Sequence, residues 1–201
     1  MRRVLDAGSI GVRPADGIYL SAGNMVRYWL PLMALVMIFG INGRAYPIPV
    51  DCRNEYHQPT AENVPVIQSF GHLGHVGIDY GVPVGTKIYA VMDGIVMYAI
   101  EDSRVYGRSI FILHCDGYGS LYGHLSKLKV KFGEVVKSGQ FIGWSGGDPN
   151  DNIDGDGWSS CAHLHFEVRI PGHLESNLYN IDPHKYEELT VRYDQSYPGV
   201  Q

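Results

Sequence analysis

The sequence predicts an all-β protein, an antiparallel sandwich or barrel of short strands and long loops. Three observations predict it. Charged residues make up only 18% of the chain, against 25 glycines and 14 tyrosines, a balance that favours strands and turns. From about residue 66, β-branched, aromatic or alternating runs recur, each closed by Gly, Asp or Ser. No long run with the 3.6-residue helical period stands among them.

The predicted strands are, in order, "TKIYAV" (86–91), "GIVMYAI" (94–100), "RSIFILH" (108–114), "SLYGHL" (120–125), "KLKVKF" (127–132), "QFIGWS" (140–145) and "HLHFEVR" (163–169). "MDG" and "CDGYG" supply turn residues between them. The segments "GVPVGTKIYAVMDGIV" and "VKFGEVVKSGQFIGWSGG" echo each other, each setting a Gly-led turn before an apolar strand. Internal duplication and the common grammar of hairpins explain that echo equally well. "GGDPNDNIDGDGWSS" (146–160) reads as a loop. Its "NIDGDG" resembles half of a calcium loop, but His163 stands at the twelfth place where a bidentate carboxylate is required.

The N-terminal part reads as an address. After Arg27, fourteen mostly apolar residues run from Tyr28 to Ile41. That is short of the roughly 20 needed to span a bilayer and suits a signal peptide. Gly43 and Ala45 fit the small positions of a cleavage site after Ala45. Residues 25–45 are therefore expected to be a signal peptide, with a retained membrane anchor as the competing reading. Residues 1–24 are polar and aperiodic, and are expected to be a mis-set start or a disordered lead. Residues 46–65 carry four prolines and read as a linker. Residues 66–190 are expected to form one domain, and 191–201 a C-terminal tail.

Net charge is −5 over the whole chain. Residues 46–201 hold 11 basic and 19 acidic residues, a net of −8. No basic patch with interleaved aromatics is evident, so nucleic acid is excluded as an expected partner. The cysteines, Cys52, Cys115 and Cys161, include no CxxC pair, which leaves a thiolate zinc knuckle without support. Cys115 and Cys161 lie near strand ends flanking the histidine motifs, and the sequence leaves open a disulfide between them in an oxidising compartment.

Four of the nine histidines stand in informative settings. "HVGID" sets His75 four residues before Asp79. "LYGHLS" carries His124. "HLHFEV" places His163, His165 and Glu167 on one face of a strand, and Leu164, Phe166 and Val168 on the other. Imidazole and carboxylate are zinc donors, and a catalytic zinc uses three protein ligands with one position open. Any one of these motifs is weak, since a strand histidine is more often structural. His114, at the end of "SIFILH", belongs to no motif and reads as a core or cross-strand hydrogen-bonding residue. Glu167 is expected to orient a ligand histidine or to pair with Arg169.

Taken in order, HxxxD, YxHLS and HLHFEV resemble the LytM and lysostaphin-type zinc metalloendopeptidases, over about residues 70–170. The resemblance implies a sandwich with an open groove, of the duplicated hybrid-motif type. It implies one Zn2+ per chain held by His75, Asp79 and His165. It implies His124 and His163 as the catalytic pair, working on metal-activated water and the oxyanion. The implied substrate is a stem or cross-bridge peptide of bacterial peptidoglycan, cut by a secreted, periplasmic or wall-associated monomer. Two alternatives stand beside it. A silent relative would bind and regulate another wall hydrolase, but such relatives lose ligands and all five residues are present here. The hairpins also resemble biotinyl and lipoyl carriers, yet no turn of the "MKM" or "DKA" kind presents a lysine. The chain departs from the family's "TGPHLHFE" at "SCAHLHFE": Cys161 and Ala162 replace Gly and Pro beside the site.

Overall fold

The computed structural model describes residues 36–39, 45–48, 55–61, 64–151, 157–174 and 177–196. Most of the lead and apolar segment, the "NIDGDG" run up to Asp156, and residues 197–201 lie outside them. Two short strands, β1 (Val36–Phe39) and β2 (Ala45–Ile48), pair antiparallel as a sheet of their own. Among the described residues no helix is long and apolar enough to cross a membrane.

The remaining ten strands form one antiparallel system that stays open. They are β3 (Val66–Gln68), β4 (Ile78–Tyr80), β5 (Lys87–Tyr89), β6 (Gly94–Ile100), β7 (Arg108–His114), β8 (Gly119–Leu128), β9 (Val135–Val136), β10 (Phe141–Ser145), β11 (Leu164–Arg169) and β12 (Asn180–Ile181). The main path runs β3-β4-β11-β8-β7-β6-β9. The long strand β8 pairs with β7 along one edge and serves two neighbours in turn along the other. Gly119–Gly123 pairs with β11, and Leu125–Leu128 pairs with β10, which in turn pairs with β5. The two echoing segments therefore lie against one another: β5 pairs with β10 and β6 with β9.

Ile88, Val96, Ile110, Ile112, Leu125, Ile142 and Phe166 fill the core and are almost fully buried. Each such side chain stabilises the fold by roughly 1.5–3 kcal/mol through burial. The alternation in β11 holds on its apolar side, with Leu164, Phe166 and Val168 fully buried. Its polar side is buried as well. A central strand has neighbours on both edges, and here a loop at residues 103–107 also covers the polar face.

One predicted strand needs correction, and the structure adds two features that the sequence left open. "KLKVKF" is not a separate strand. β8 absorbs Lys127 and Leu128, and the chain then turns at Gly133, whose φ is 80°. Cys115 is disulfide-bonded, whereas Cys161 is a free, exposed thiol, so these two do not pair with each other. The C-terminal region also holds a helix, α1 (Pro183–Ser196), which crosses the boundary placed at residue 190. Its start was legible. The Asp182 carboxylate accepts a hydrogen bond from the His184 amide at 3.0 Å, and Pro183 follows Asp182 at the first helical position. Tyr186 anchors the helix. It is buried, donates to Asp116 at 2.9 Å and packs against Tyr118.

Residues 55–61, read as linker, lie along the sheet edge. The His57 amide donates to the Val91 carbonyl at 2.8 Å, and the Tyr89 amide to the Pro59 carbonyl at 2.9 Å. His114 is a core residue as expected. Its ring spans the Asp93 carbonyl at 3.1 Å and the Ser120 hydroxyl at 2.8 Å.

Candidate metal centre

Three chain segments meet where β4, β8 and β11 lie side by side. In the strand register His165 stands opposite Asp79 on one side and Gly123 on the other. His75 ends a short 3-10 turn (His72–Gly74) just before β4 and enters extended backbone at φ −63°, ψ 130°. Gly77 lets this segment close onto β11. A β-carbon there would run into the Phe166 carbonyl oxygen and come within 3.0 Å of the His165 ring.

The result is a triangle of donor atoms. His75 Nε2 lies 3.1 Å from His165 Nδ1 and 3.2 Å from Asp79 Oδ1, and His165 Nδ1 lies 2.8 Å from Asp79 Oδ1. Atoms about 2.0–2.2 Å from a tetrahedral zinc stand about 3.3–3.6 Å from one another. The triangle needs only a few tenths of an ångström of expansion to hold that ion. Asp79 and His165 are buried, and His75 is partly so.

Outer hydrogen bonds aim the lone pairs inward. His75 Nδ1 donates to the Ser69 carbonyl at 3.3 Å, which leaves Nε2 facing the triangle. His165 Nε2 donates to Glu167 Oε1 at 3.1 Å, which leaves Nδ1 facing it. Glu167 is fully buried and also accepts from the Tyr106 hydroxyl at 2.6 Å and from Arg169 at 3.0 and 3.1 Å. Glu167 thus both orients the histidine and pairs with Arg169. Sequence reasoning missed Tyr106. It sits in the loop between β6 and β7, where no motif marks it, and only the fold brings its ring to 5.6 Å from that of His165.

The charges follow. Burial raises the Asp79 pKa, but the hydrogen bonds from His165 and His75 outweigh it and hold the carboxyl well below its usual range. Burial lowers that of His165, but its hydrogen bonds to Asp79 and Glu167 prevail and push it up to about 9. The metal-free protein therefore carries a proton on His165 at pH 7. That proton favours folding fully below about pH 6.5, and its contribution is lost as the pH rises through about 9. Metal must displace it. Zinc titration at pH 7 is expected to release about one proton from this ring, read by calorimetry in buffers of different ionisation enthalpy. Zinc affinity should fall as the pH is lowered.

His124 and His163 stand beside the triangle. Their rings lie 4.7 Å apart, and His163 Nε2 is 3.7 Å from Asp79 Oδ1. His163 Nδ1 donates to the Cys161 carbonyl at 2.7 Å. That bond fixes the tautomer and leaves Nε2 as an acceptor toward the site. His124 has a φ of 55°, one of only two non-glycine residues with positive φ among those described. It occupies the single position where β8 passes from β11 to β10, with its amide bonded to the Tyr106 carbonyl at 2.7 Å and its carbonyl to the Gly146 amide at 2.7 Å. Backbone of this kind costs about 1–2 kcal/mol for a residue with a β-carbon. His124→Gly is therefore expected to unfold in denaturant with about 1 kcal/mol more stability than His124→Ala, although both lack the imidazole.

All five residues singled out from sequence line one cleft of about 310 Å³. Trp158, 69% exposed, stands on its rim, held there by its amide bond to the Val105 carbonyl at 2.9 Å. The arrangement combines a three-donor metal cradle with two imidazoles beside it in one open cleft.

Residues 73–181 match the model of Peptidase family M23. The glycyl-glycine endopeptidase ALE-1 of Staphylococcus capitis is 39% identical over 94 residues, covering 46% of this chain and 24% of that protein. The structure of the antimicrobial peptidase lysostaphin from Staphylococcus simulans aligns with a TM-score of 0.58 at 31% identity, over 68% of this chain and 54% of that one. A zinc-containing peptidase from Vibrio cholerae aligns with a TM-score of 0.51 at 25% identity, over 73% and 44%. The chain thus spans only a fraction of the length of such relatives.

Proposed function

Since the chain belongs to peptidase family M23, we propose that it is a zinc-dependent endopeptidase that cuts peptide bonds in the stem or cross-bridge peptides of bacterial peptidoglycan. The observation that carries this reading is the donor triangle of His75 Nε2, Asp79 Oδ1 and His165 Nδ1, all within 3.2 Å of one another beside the His124 and His163 rings. A zinc ion held there would supply a Lewis acid and a water acidified to near neutrality.

The side chains divide the remaining work. The cleft seats the peptide in extended form, with the scissile carbonyl next to the triangle. His163, with its proton fixed on Nδ1 by the Cys161 carbonyl, offers Nε2 to take a proton from the attacking water. His124, at the strained crossing of β8, donates to the oxygen that gains negative charge as the carbonyl carbon becomes tetrahedral. The proton taken by His163 passes to the leaving amine, and both rings return to their starting state. Tyr106, Glu167 and Arg169 hold the His165 ring in place throughout.

Peptidoglycan lies outside the cytoplasm, so this reading includes export of the chain. The test is direct. The purified chain is incubated with peptidoglycan sacculi, and release of new amino groups is followed. Release that stops with chelator and returns with zinc supports the reading. Release unaffected by complete metal removal, or none from the zinc-loaded chain, overturns it.

A further inference from the structure

A second surface on the molecule concentrates positive charge in an acidic chain. β10 lies between β5 and the end of β8, and Trp144 has Lys87 and Lys127 as its two cross-strand partners. Cross-strand partners share a face. On that face the Phe141 and Trp144 rings meet edge to face at 4.6 Å, and Tyr89 stands 6.2 Å from Phe141. The lysines lie over this aromatic floor. Lys87 and Lys129 sit 5.6 and 5.5 Å from the Phe141 ring, and Lys127 sits 5.2 Å from the Trp144 ring. These are three of the chain's six lysines. All three are exposed, and none has a carboxylate partner among the described residues. Beyond Ser145 the same strand runs on to Gly146, which bridges to His163 at the cleft.

We propose that this lysine–aromatic strip is a docking surface for the carboxylates of the peptidoglycan polymer, outside the cleft itself. The inference rests on the function proposed above. Exposed cations are held in place by ring faces without being neutralised, so their charge stays available to a further anion. They suit an anionic polymer better than a neutral one. Stem peptides bear free carboxylates, whereas residues 46–201 carry a net charge of −8 and would be repelled as a whole. A local positive strip on the strand that leads to the cleft offsets that repulsion and brings the molecule to its substrate.

The test separates docking from cleavage. In a full chain carrying His124→Ala, so that sacculi stay intact, the triple variant Lys87→Gln, Lys127→Gln, Lys129→Gln is compared with its parent by co-sedimentation. Sacculus binding is expected to fall at least about tenfold at low salt, with the difference vanishing at high salt. Lys185→Gln, on α1, is expected to bind like the parent. In the active chain, the triple variant should cut a short uncharged peptide at the parental rate with an unchanged melting midpoint. Equal sedimentation of triple variant and parent overturns the proposal. So does a loss seen with anionic lipid vesicles but not with sacculi. Failure of the short peptide to be cut by the parent would sink the peptidase reading and leave the docking result intact.

Discussion

His165→Ala is expected to lose both bound zinc and peptidase activity while remaining folded. The ring supplies one of three protein donors, Nδ1, at 2.8 Å from Asp79 and 3.1 Å from His75. Structural zinc sites bind with about 10–16 kcal/mol spread over four ligands. Deleting one donor therefore weakens binding by about 3–4 kcal/mol, a factor of roughly 10²–10³. Activity falls with it. Dialysis against graded zinc, with metal content and amine release read together, checks this. The deletion also leaves Asp79 with fewer hydrogen bonds in a buried place, so some loss of stability in the metal-free form accompanies it.

Glu167→Ala is expected to be the most destabilising single change near the site. The carboxylate is fully buried and is held by His165, Tyr106 and both nitrogens of Arg169 that face it. Burial alone would raise its pKa, yet His165, Arg169 and Tyr106 keep it below the ordinary value. Removing one partner of a buried ion pair costs about 3–5 kcal/mol, because the other charge is stranded. Arg169 is 5% exposed and its remaining bond is to the Leu174 carbonyl. For a domain of this size the melting midpoint should drop by about 10 °C. Zinc affinity should fall 10–100-fold as well, because the His165 tautomer is no longer fixed. Glu167→Gln keeps an acceptor but not the charge, and should fall between the two. A Glu167→Ala protein that melts within a degree or two of the parent would contradict this account.

The site was far more legible in the sequence than its surroundings. His75, Asp79, His124, His163 and His165 each sit in a short motif, and the motifs together with the family resemblance single them out. The fold then brings all five to one cleft through the pairing of β4, β8 and β11, which no local pattern specifies. Alternation alone places His163 and His165 on one face. It does not say that this face is buried, because burial depends on the 103–107 loop and on Tyr106, which come from elsewhere in the chain. Nor does it reveal the positive φ of His124. That conformation stands where one edge of β8 passes from β11 to β10, a fact of topology. The strands from 94 to 114 were recovered to the residue because turn residues bound them. "KLKVKF" misled because its alternation continues past Leu128, the last residue of β8, whereas the pairing with β10 ends with the Lys129 amide bond to the Ile142 carbonyl and the chain turns at Gly133. The Asp182–Pro183 pair is a legible helix start, but the residues after it show no apolar period: Tyr186 is the one large hydrophobic side chain buried between Pro183 and Thr190. The cysteine pairing could not be read at all, because loop ends flanking a motif say nothing of their distance across the fold.

The central claim is that the five-residue constellation is one metal-dependent catalytic unit with separable parts. It is tested most directly by titrating metal-free chain, as wild type and as His124→Ala, with zinc while release of amines from sacculi is followed. The account predicts that wild-type activity rises linearly and saturates at about one zinc per chain. It predicts that His124→Ala takes up the same zinc and stays inactive by a factor of about 10²–10⁴. Wild-type activity before any zinc is added, or undiminished activity in His124→Ala, would contradict it.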